Sequence, residues 1–398
     1  MLHAMNDQSA PPSSLLARMR ELAPEMRAVR QDIHRHPELA YEEKRTAGIV
    51  AARLREWGIE VHEGIGGTGV VGVLGSGETG RRIGLRADMD ALPIHEATGL
   101  PYESVHQGLA HSCGHDGHTA MLLCAARYLS ESKHIKGRVH LIFQPAEEGK
   151  AGARAMIEDG LFDRFPCDEI YALHNWPGLP AGTIATRPGA IMAAADRVEI
   201  QVRASGGHAA EPHRSADAIL CAAQIVTAAH TLVARRIDPN ATAVLSLTRI
   251  AGGSSHNVMP SEVNITGTVR TFDPAVQDRI EAALRDLVEG TAKAAGCSAT
   301  LSYRRYYPAT VNDAACAGHA LEAGDALVGG STLLDAPAFT SEDFAFMLQA
   351  VPGAYVWLGQ SSPQRSAPLH TPAYDFNDDV LPVGAGLLAA LAERRTAA

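Results

Sequence analysis

Four residues of types that commonly bind metal ions fall within six positions of the chain. The segment His-Ser-Cys-Gly-His-Asp-Gly-His contains Cys113, His115, Asp116 and His118, so thiol, imidazole and carboxyl groups lie close together. Folding alone does not require so many potential metal ligands in one short segment. The segment therefore predicts a metal site. The alternative is a helix start with surface histidines and Asp116 as its cap, because residues 118–129 have helical apolar spacing.

Further candidates follow two short apolar segments that are predicted to be buried strands. Residues 139–143 are soon followed by Glu147 and Glu148, and residues 169–173 are followed at once by His174. In open α/β sheets, ligands bind in the crevice beyond the carboxyl ends of parallel strands. We therefore expect these three side chains to lie in one site rather than in solvated loops.

Two adjacent carboxylates allow a division of labour in hydrolysis. One can ligate a metal ion while its neighbour accepts a proton from water that the ion activates. A divalent ion lowers the pKa of a water that it binds to about 7, so hydroxide becomes available near neutral pH. The pair Glu147 and Glu148 thus favours a metal-dependent hydrolase.

Several other segments, together with those above, form a sequence pattern that is typical of a known family. The chain contains HSCGHDGHTA, FQPAEEG, ALHNWP, SGGHAAEPH, HNVMP and GTVRTF, together with RADMDALPI, SEDF and LHTPAYDFND. From about Arg35 to the C-terminus, the sequence resembles the metallo-aminoacylase, hippurate hydrolase and auxin-conjugate hydrolase family, within the co-catalytic metallopeptidase clan. The resemblance implies an amidohydrolase that cleaves small N-acyl amino acids, either hippurate-like or N-acetylated, to a carboxylic acid and a free amino acid.

The resemblance also implies a role for each of several residues. The metal ligands would be Cys113, His115, Glu148, His174 and His370, and the general base would be Glu147. The remaining contacts would come from His208, a transition-state donor that reaches the partner subunit's site, and from Asn257 and Arg270, which touch the substrate. A guanidinium suits the bidentate binding of a carboxylate, so Arg270 is expected to anchor the substrate. Without the resemblance, His208 would be an ordinary turn histidine and Arg270 an exposed strand charge.

One position departs from the wider clan, whose first ligand is usually a histidine two residues before an aspartate on the strand IGLRADMD. Here Arg86 precedes Asp88, and Cys113 with His115 would make up the ligand count. The expected cofactor is two divalent metal ions per subunit, and the sequence leaves open which ligand bridges them. A thiolate favours zinc, while histidine and glutamate also accept manganese, cobalt or nickel.

The hydrophobic pattern of the predicted strands changes along the chain. Up to about residue 192 they are short and continuously apolar, which predicts an α/β domain with a mainly parallel sheet covered by helices. From residue 196 the strands alternate, with a helix over 215–236 and another opened by Asp273 and Pro274. The order of these elements, βαββαβ, is the ferredoxin-like split pattern.

The two strand patterns, continuously apolar and alternating, predict a two-domain fold. We expect a disordered tail at 1–14, a discontinuous catalytic metal-binding domain at 15–195 and 308–398, and an inserted dimerisation or lid domain at 196–307. The resemblance implies a homodimer, alone or as half of a tetramer.

Composition excludes several classes of function. The net charge is −10, only 5% of residues are aromatic, and no basic stripe is present, which argues against binding to nucleic acids or anionic membranes. No apolar segment approaches the roughly 18 residues of a membrane span. The first residues lack the pattern of a signal peptide, so a cytoplasmic location is expected. Six scattered cysteines predict no disulfide framework.

Two other functions remain open. Cys113 could be a nucleophile activated by His115, although the glutamate pair and the other histidines then have no role. A metal-dependent binding protein without turnover is opposed by the presence of Glu147. We expect His34 and His36 to be structural, and we expect surface positions for His62, His134, His140 and His319.

Overall fold

The structure, a computed structural model, describes residues 14–75 and 80–397. The predicted tail lies outside these residues except for Ser14, which already begins the first helix. The described chain forms two compact units. The first unit holds the chain up to residue 191 with 311–336 and 343–398, and the second unit holds 192–310 and 337–342. The domain bounds predicted from the sequence differ here, since they place 337–342 in the catalytic domain.

The helices are α1 (Ser14–Arg35), α2 (Lys44–Glu56), α3 (His115–Glu131), α4 (Glu147–Lys150), α5 (Gly152–Glu158), α6 (Leu161–Arg164), α7 (Ala218–Ala229), α8 (Leu232–Arg236), α9 (Pro274–Ala294), α10 (Ala314–Val328), α11 (Phe344–Ala350) and α12 (Leu381–Thr396), with 3-10 turns at Pro212–Arg214 and Asp378–Val380. The strands are β1 (Glu60–Ile65), β2 (Gly69–Leu74), β3 (Arg82–Asp88), β4 (Arg138–Gln144), β5 (Glu169–Pro180), β6 (Ile184–Thr186), β7 (Gly189–Met192), β8 (Ala194–Arg203), β9 (Gly207–His208), β10 (Ala243–Gly252), β11 (Val258–Met259), β12 (Glu262–Thr271), β13 (Ser298–Tyr307), β14 (Thr310–Asn312), β15 (Thr332–Leu333) and β16 (Gly353–Ser361).

The first unit is built on a sheet with the strand order β1-β2-β4-β3-β5-β16-β6-β15. Its four central strands, β4, β3, β5 and β16, run parallel to one another. Strands β3, β4 and β16 and the first seven residues of β5 are almost continuously buried, as a sheet covered on both faces requires. Helices α1, α3 and α12 pack against one another, and α10 packs against β16. The predicted α/β class with a mainly parallel sheet is confirmed.

The carboxyl ends of the central strands bring the candidate residues together. Strand β3 ends at Asp88 and β4 ends at Gln144. The prediction that β5 stops just before His174 is wrong, because β5 continues to pair with β16, where Trp357 lies opposite His174. On the other side, the pairing of β3 with β5 ends at Ala172. His174 therefore lies beyond the end of β3, in the crevice where ligands of such sheets bind.

The second unit contains an antiparallel sheet with the order β10-β12-β8-β13. Helix α7 follows β8 and helix α9 follows β12, which gives the predicted βαββαβ order of a ferredoxin-like fold. Val198, Ile200 and Val202 of β8 are at most 1% exposed and form part of the core of this unit. Asp273 caps α9 by accepting the N–H of Ala275 at 2.8 Å.

The single helix predicted over 215–236 is wrong. The structure has two helices there, α7 and α8, separated by His230 and Thr231. The Thr231 hydroxyl donates to the Ala228 carbonyl at 2.8 Å, and such a local bond competes with the regular helical pattern. Within the two described ranges, no helix is both long and apolar enough to span a membrane.

Candidate metal and catalytic centre

The start of α3 is buried rather than solvated. His115 and His118 are at most 1% exposed, so the alternative of surface histidines is wrong. Asp116 lies inside the first turn, and the residue before the helix is Gly114, with a φ of 92°. A Cβ atom on Gly114 would lie 2.2 Å from Asn175 Oδ1, so only glycine fits at this position.

His115 has one ring nitrogen fixed and the other available. Its Nδ1 lies 2.9 Å from the carbonyl oxygen of Asp90, and because that oxygen is an acceptor, Nδ1 carries a proton. Its Nε2 is buried and has no hydrogen-bond partner among the described residues. Burial alone would lower the pKa of His115, but Asp88 and Asp90 raise it to about 10. The surroundings thus favour positive charge on this ring, which a metal ion can supply in place of a proton.

His174 is oriented in a similar way. Its Nδ1 donates to the carbonyl oxygen of Asn175 at 2.6 Å, and its Nε2 lies 3.4 Å from the Cys113 sulfur. Burial holds the pKa of His174 well below its usual value, and His118 lowers it further. A neutral imidazole beside a thiol presents two suitable ligand atoms to one cation.

Glu147 and Glu148 follow β4 in a tightly held turn. Ala146 has a φ of 55°, a left-handed conformation that costs a non-glycine residue on the order of 1–3 kcal/mol. Its N–H donates to Glu43 Oε1 at 2.8 Å. The N–H groups of Glu147 and Glu148 both donate to the Asp90 carboxylate at 3.0 Å. Three successive amides therefore donate to buried carboxylates, which fixes this turn.

His370 lies in the loop after β16 and meets Glu148. Its φ is 59°, and its N–H donates to the Ser112 carbonyl at 2.7 Å, next to Cys113 in the chain. His370 Nε2 lies 3.1 Å from Glu148 Oε1. That oxygen is buried and accepts no hydrogen bond from the described part of the chain. The two atoms lie within hydrogen-bond distance, but their angles do not allow a hydrogen bond. Both atoms can therefore serve as metal ligands.

Three overlapping groups of side chains have their ligand atoms within 4.8 Å of one another. They are Cys113 with His115 and His174, Cys113 with Glu148 and His370, and His115 with Glu147 and Glu148. We call these six residues the ligand centre. The overlap gives an arrangement in which two ions can share ligands. The first unit therefore brings together all five predicted ligands and the predicted base.

A further group, Asp88 with His115 and His118, is already engaged in internal contacts. Asp88 accepts from Arg86 at 2.7 Å and lies 2.6 Å from His118 Nδ1, while His118 Nε2 lies 2.6 Å from Asn175 Oδ1. Burial would raise the pKa of Asp88, but Arg86, His115 and His118 hold it well below its usual range. Arg86, at the position of the clan's usual histidine, thus supplies a positive charge of its own.

The surroundings of Cys113 do not activate a nucleophile. Burial raises the pKa of the Cys113 thiol well above its usual value, and Glu148, Glu147 and Asp88 raise it further. A reactive cysteine needs nearby positive charge instead. A cation bound by the same carboxylates would favour the thiolate, so the geometry supports Cys113 as a ligand.

In the second unit, His208 and Asn257 are neighbours on the surface. Strand β9 pairs with β11, and the N–H of Ala209 donates to the Asn257 carbonyl at 3.0 Å. Both side chains are exposed. His208 Nδ1 accepts the N–H of Ala210 at 3.1 Å, so in the neutral ring Nε2 is the donor. A donor nitrogen of this kind is suited to stabilise an oxyanion.

Arg270 lies half-buried on β12. Its guanidinium donates to the Val269 carbonyl at 3.1 Å and to the Thr268 hydroxyl. Burial lowers the pKa of Arg270, and the charge of Asp196 opposes this. No carboxylate of the residues described in the structure forms an ion pair with Arg270. The guanidinium is therefore available to bind an anionic group.

Three further carboxylates support the ligand centre, namely Glu43, Asp90 and Asp343, and the sequence had assigned none of them a role. The N–H of Asp343 donates to Glu147 Oε1 at 3.3 Å, and its carboxylate lies 3.2 Å from Arg86. Asp90 follows directly after β3, so the rule that identified Glu147 after β4 could have found it. Asp343 lies in the SEDF segment of the family pattern, but that segment alone assigns it no role, and no pattern in the sequence marks Glu43.

Four histidines outside the ligand centre are also buried, namely His34, His111, His118 and His140. His34 connects α1 with α3, since its Nδ1 lies 2.8 Å from Asp116 and its Nε2 lies 3.1 Å from Glu96. These are structural contacts. The expectation that His140 lies at the surface is wrong, because β4 is enclosed between β2 and β3 and His140 is 1% exposed.

Comparison with known proteins agrees with this geometry. Residues 84–394 match the family model described as peptidase family M20/M25/M40. The chain is 38% identical over 381 residues to a hippurate hydrolase of Campylobacter jejuni, covering 95% of this chain and 98% of that protein. It is 39% identical over 355 residues to an N-acetyl-L-cysteine deacetylase of Bacillus subtilis, covering 89% and 84% respectively.

A solved structure extends the likeness to three dimensions. It is a Bacillus subtilis protein described as a dinuclear metal-binding peptidase from the M20 family. The two chains are 34% identical, with a TM-score of 0.84 over 95% of this chain and 99% of the other.

Proposed function

The chain belongs to peptidase family M20/M25/M40 and is a hydrolase that acts on amide bonds, and from that premise we propose that it cleaves N-acyl amino acids to a carboxylic acid and a free amino acid. The observation that carries this proposal is the placement of Glu147 in one group with His115 and Glu148. Hippurate-like and N-acetyl substrates are the leading candidates, because relatives with those names match the chain over most of its length.

We propose two divalent metal ions per subunit as cofactors. The residues that would hold them are Cys113, His115, Glu148, His174 and His370. The fit is supported by buried atoms of this set, His115 Nε2 and Glu148 Oε1, that have no hydrogen-bond partner among the described residues. Bound divalent ions would activate water and polarise the amide carbonyl. The thiolate favours zinc, and the other ligands are also compatible with manganese, cobalt or nickel.

Glu147 is the proposed general base. Its N–H is held by Asp90, and its Oε1 accepts the N–H of Asp343, so one carboxylate oxygen has a fixed position. The carboxylate accepts a proton from the attacking water and then delivers it to the nitrogen of the departing amino acid. The carboxylate returns to its starting state, and the amide C–N bond is the bond that breaks.

The second unit is proposed to supply the substrate contacts. Arg270 would bind the substrate carboxylate, because its guanidinium is half-buried and has no carboxylate partner among the described residues. Asn257 would contact the substrate, and the partner subunit's His208 would donate to the oxygen of the tetrahedral intermediate. This assignment requires a homodimer.

The surface of the second unit supports such a dimer. Strand β10 is an edge strand of its sheet. Four apolar side chains of α7, β10 and β11 are between 46% and 56% exposed, namely Ile219, Leu220, Ile250 and Val258. A free strand edge beside exposed apolar side chains favours association with another chain.

The substrate proposal is tested with a panel of N-acyl amino acids on zinc-reconstituted protein. The panel includes hippurate and N-acetyl-L-cysteine, and N-methylbenzamide serves as the matched substrate without a carboxylate. We expect hydrolysis of at least one acid, and a kcat/KM for hippurate more than roughly 10-fold above that for N-methylbenzamide if Arg270 binds the carboxylate. The Glu147→Gln protein gives the background rate. If no acid is hydrolysed faster by the wild type than by this variant, the proposal is wrong.

A further inference from the structure

Asp90 is a buried carboxylate that contacts three residues of the ligand centre. It is 1% exposed. Its Oδ1 accepts the N–H of Glu147 at 3.0 Å and lies 3.3 Å from His115 Nδ1, and its Oδ2 accepts the N–H of Glu148 at 3.0 Å. Its backbone carbonyl accepts from His115 Nδ1 at 2.9 Å. Asp90 therefore touches a proposed ligand from one side and the glutamate pair from the other.

No lysine or arginine of the described residues forms an ion pair with Asp90, whereas Asp88 and Asp343 both pair with Arg86. A buried carboxylate without a lysine or arginine partner is costly unless hydrogen bonds stabilise it. Here N–H donors do so, and two of them are successive backbone amides. The arrangement is specific to a carboxylate, since an asparagine amide in the same place would turn an NH₂ group toward one of these donors.

We propose that Asp90 is a positioning residue that sets metal affinity and the placement of the general base together. Through His115 it holds the ring in the orientation that leaves Nε2 for a metal ion. Through the two amides it fixes the backbone from which the side chains of Glu147 and Glu148 project. The catalytic part of this inference rests on the proposed function, but the metal-binding part does not depend on any substrate.

The test measures the affinity for Zn²⁺ alone, by competition with a chromophoric chelator. Groups that orient a metal-binding histidine typically contribute about 10–100-fold to metal affinity or activity, so Asp90→Asn should weaken Zn²⁺ binding by about that factor. The metal-free variant should still show a cooperative thermal transition.

Glu96→Gln is a matched control. Glu96 is also buried. It accepts one backbone N–H, that of Ser104 at 2.8 Å, where Asp90 accepts two, and it likewise contacts one histidine, His34, at 3.1 Å. Its contacts do not include the ligand centre. Glu96→Gln should bind Zn²⁺ within about twofold of the wild type, even where its melting temperature falls as far as that of Asp90→Asn. Equal Zn²⁺ affinity of Asp90→Asn and wild type overturns the inference.

A second readout separates positioning from general stability. At saturating Zn²⁺, Asp90→Asn should retain a lowered kcat with KM within about twofold of the wild type, because the base is displaced while the substrate contacts remain. Full recovery of kcat at saturating Zn²⁺ would show that Asp90 does not position Glu147. If the wild type hydrolyses no N-acyl amino acid but the Zn²⁺ affinities differ as expected, the proposed function fails and the metal-binding inference stands.

Asp90→Glu provides the same test if Asp90→Asn does not fold. It keeps the buried charge but moves the carboxylate by one methylene, so the contacts to His115 and to both amides no longer fit together. Its loss of Zn²⁺ affinity must exceed that of Glu96→Asp. An equal or smaller loss contradicts the proposal.

Discussion

Two buried candidate histidines of the first unit and the exposed candidate histidine of the second unit are held in opposite ways. In the first unit, His115 and His174 are buried, and each Nδ1 donates to a backbone carbonyl at 2.9 and 2.6 Å respectively, so the other ring nitrogen has a fixed direction. In the second unit, His208 is exposed and its Nδ1 accepts the N–H of Ala210. Metal ligands must be held in place before the ion arrives, whereas an exposed donor can act only when the substrate or another chain comes to it. The contrast agrees with the proposal that the first unit binds the metal ions and that the second unit supplies substrate contacts.

The most direct test within the first unit distinguishes the proposed general base, Glu147, from the proposed metal ligand, Glu148. Glu147→Gln should lower kcat by roughly 10² or more with metal content near that of the wild type, because general-base catalysis contributes about 10²–10⁴. Glu148→Gln should lose metal instead. Metal analysis and kinetics on the same samples check this prediction, and the reverse pattern would show that the two roles are exchanged.

The second unit is tested by mixing subunits. His208→Ala and Glu147→Gln homodimers should each be nearly inactive, because every proposed site needs Glu147 of one chain and the partner subunit's His208. Co-refolding equal amounts should make about half of the dimers mixed, each with one intact site of two, and restore roughly a quarter of wild-type activity.

Wild type refolded in the same way is the control for this experiment, and subunit exchange is followed with a tagged chain. No recovery despite exchange would place His208 in the site of its own chain or remove it from the mechanism.

The ligand centre was largely predictable because its residue types are unusual and tightly spaced. Cys113 and His115 lie two positions apart, and Glu147 follows an apolar strand, so local patterns marked them as candidates. The full ligand set, including His370, was implied by the family resemblance. The contacts of Glu43 and of Asp343 in the SEDF segment were not predictable, since these residues reach Ala146 and Glu147 through tertiary structure. These contacts leave no periodic signal in the sequence.

The predicted boundaries of two elements were also wrong, because hydrogen bonds decide where these elements end. The apolar pattern of β5 ends before His174, but the strand continues because β16 supplies hydrogen-bonding partners. In the second unit, the helical pattern continued through Thr231, where a side-chain bond to Ala228 accompanies the break. Both outcomes depend on hydrogen bonds that residue type alone does not specify.

The reactivity of Cys113 tests whether the first unit protects its thiol. Burial and the neighbouring carboxylates raise the pKa of the metal-free thiol, and a bound ion would hold the sulfur as a ligand. Metal-loaded protein should therefore react with iodoacetamide at least roughly 10-fold more slowly than a simple exposed thiol.

Cys113→Ser identifies the alkylation of Cys113 in the peptide map, and a small free thiol in the same solution is the exposed reference, because the other five cysteines are buried or partly buried. Rapid alkylation of the metal-loaded protein, with an acyl-thioester detected during turnover, would favour the cysteine nucleophile.

The smallest expected effect concerns His34, which is buried but lies outside the ligand centre. Burial lowers the pKa of His34, but Asp116 and Glu96 raise it to about 9, above an unfolded value of about 6.5. The charged ring therefore contributes stability that is fully present below pH of about 6.5 and is lost as the pH rises through about 9. The melting temperature of the zinc-loaded wild type should fall across this window, and that of His34→Gln should fall less. Parallel curves for the two proteins would contradict this assignment.

The central claim, that a two-ion centre performs the hydrolysis, is tested most directly by titrating Zn²⁺ into metal-free protein while bound ions and hydrolysis of the best N-acyl amino acid are measured together. Two-metal sites hold ions about 3.5–4 Å apart and share ligands, and the groups around Cys113 and His115 overlap in that way. We predict that activity rises cooperatively and reaches its maximum at about two bound ions per chain. Full activity in the metal-free protein would contradict the account.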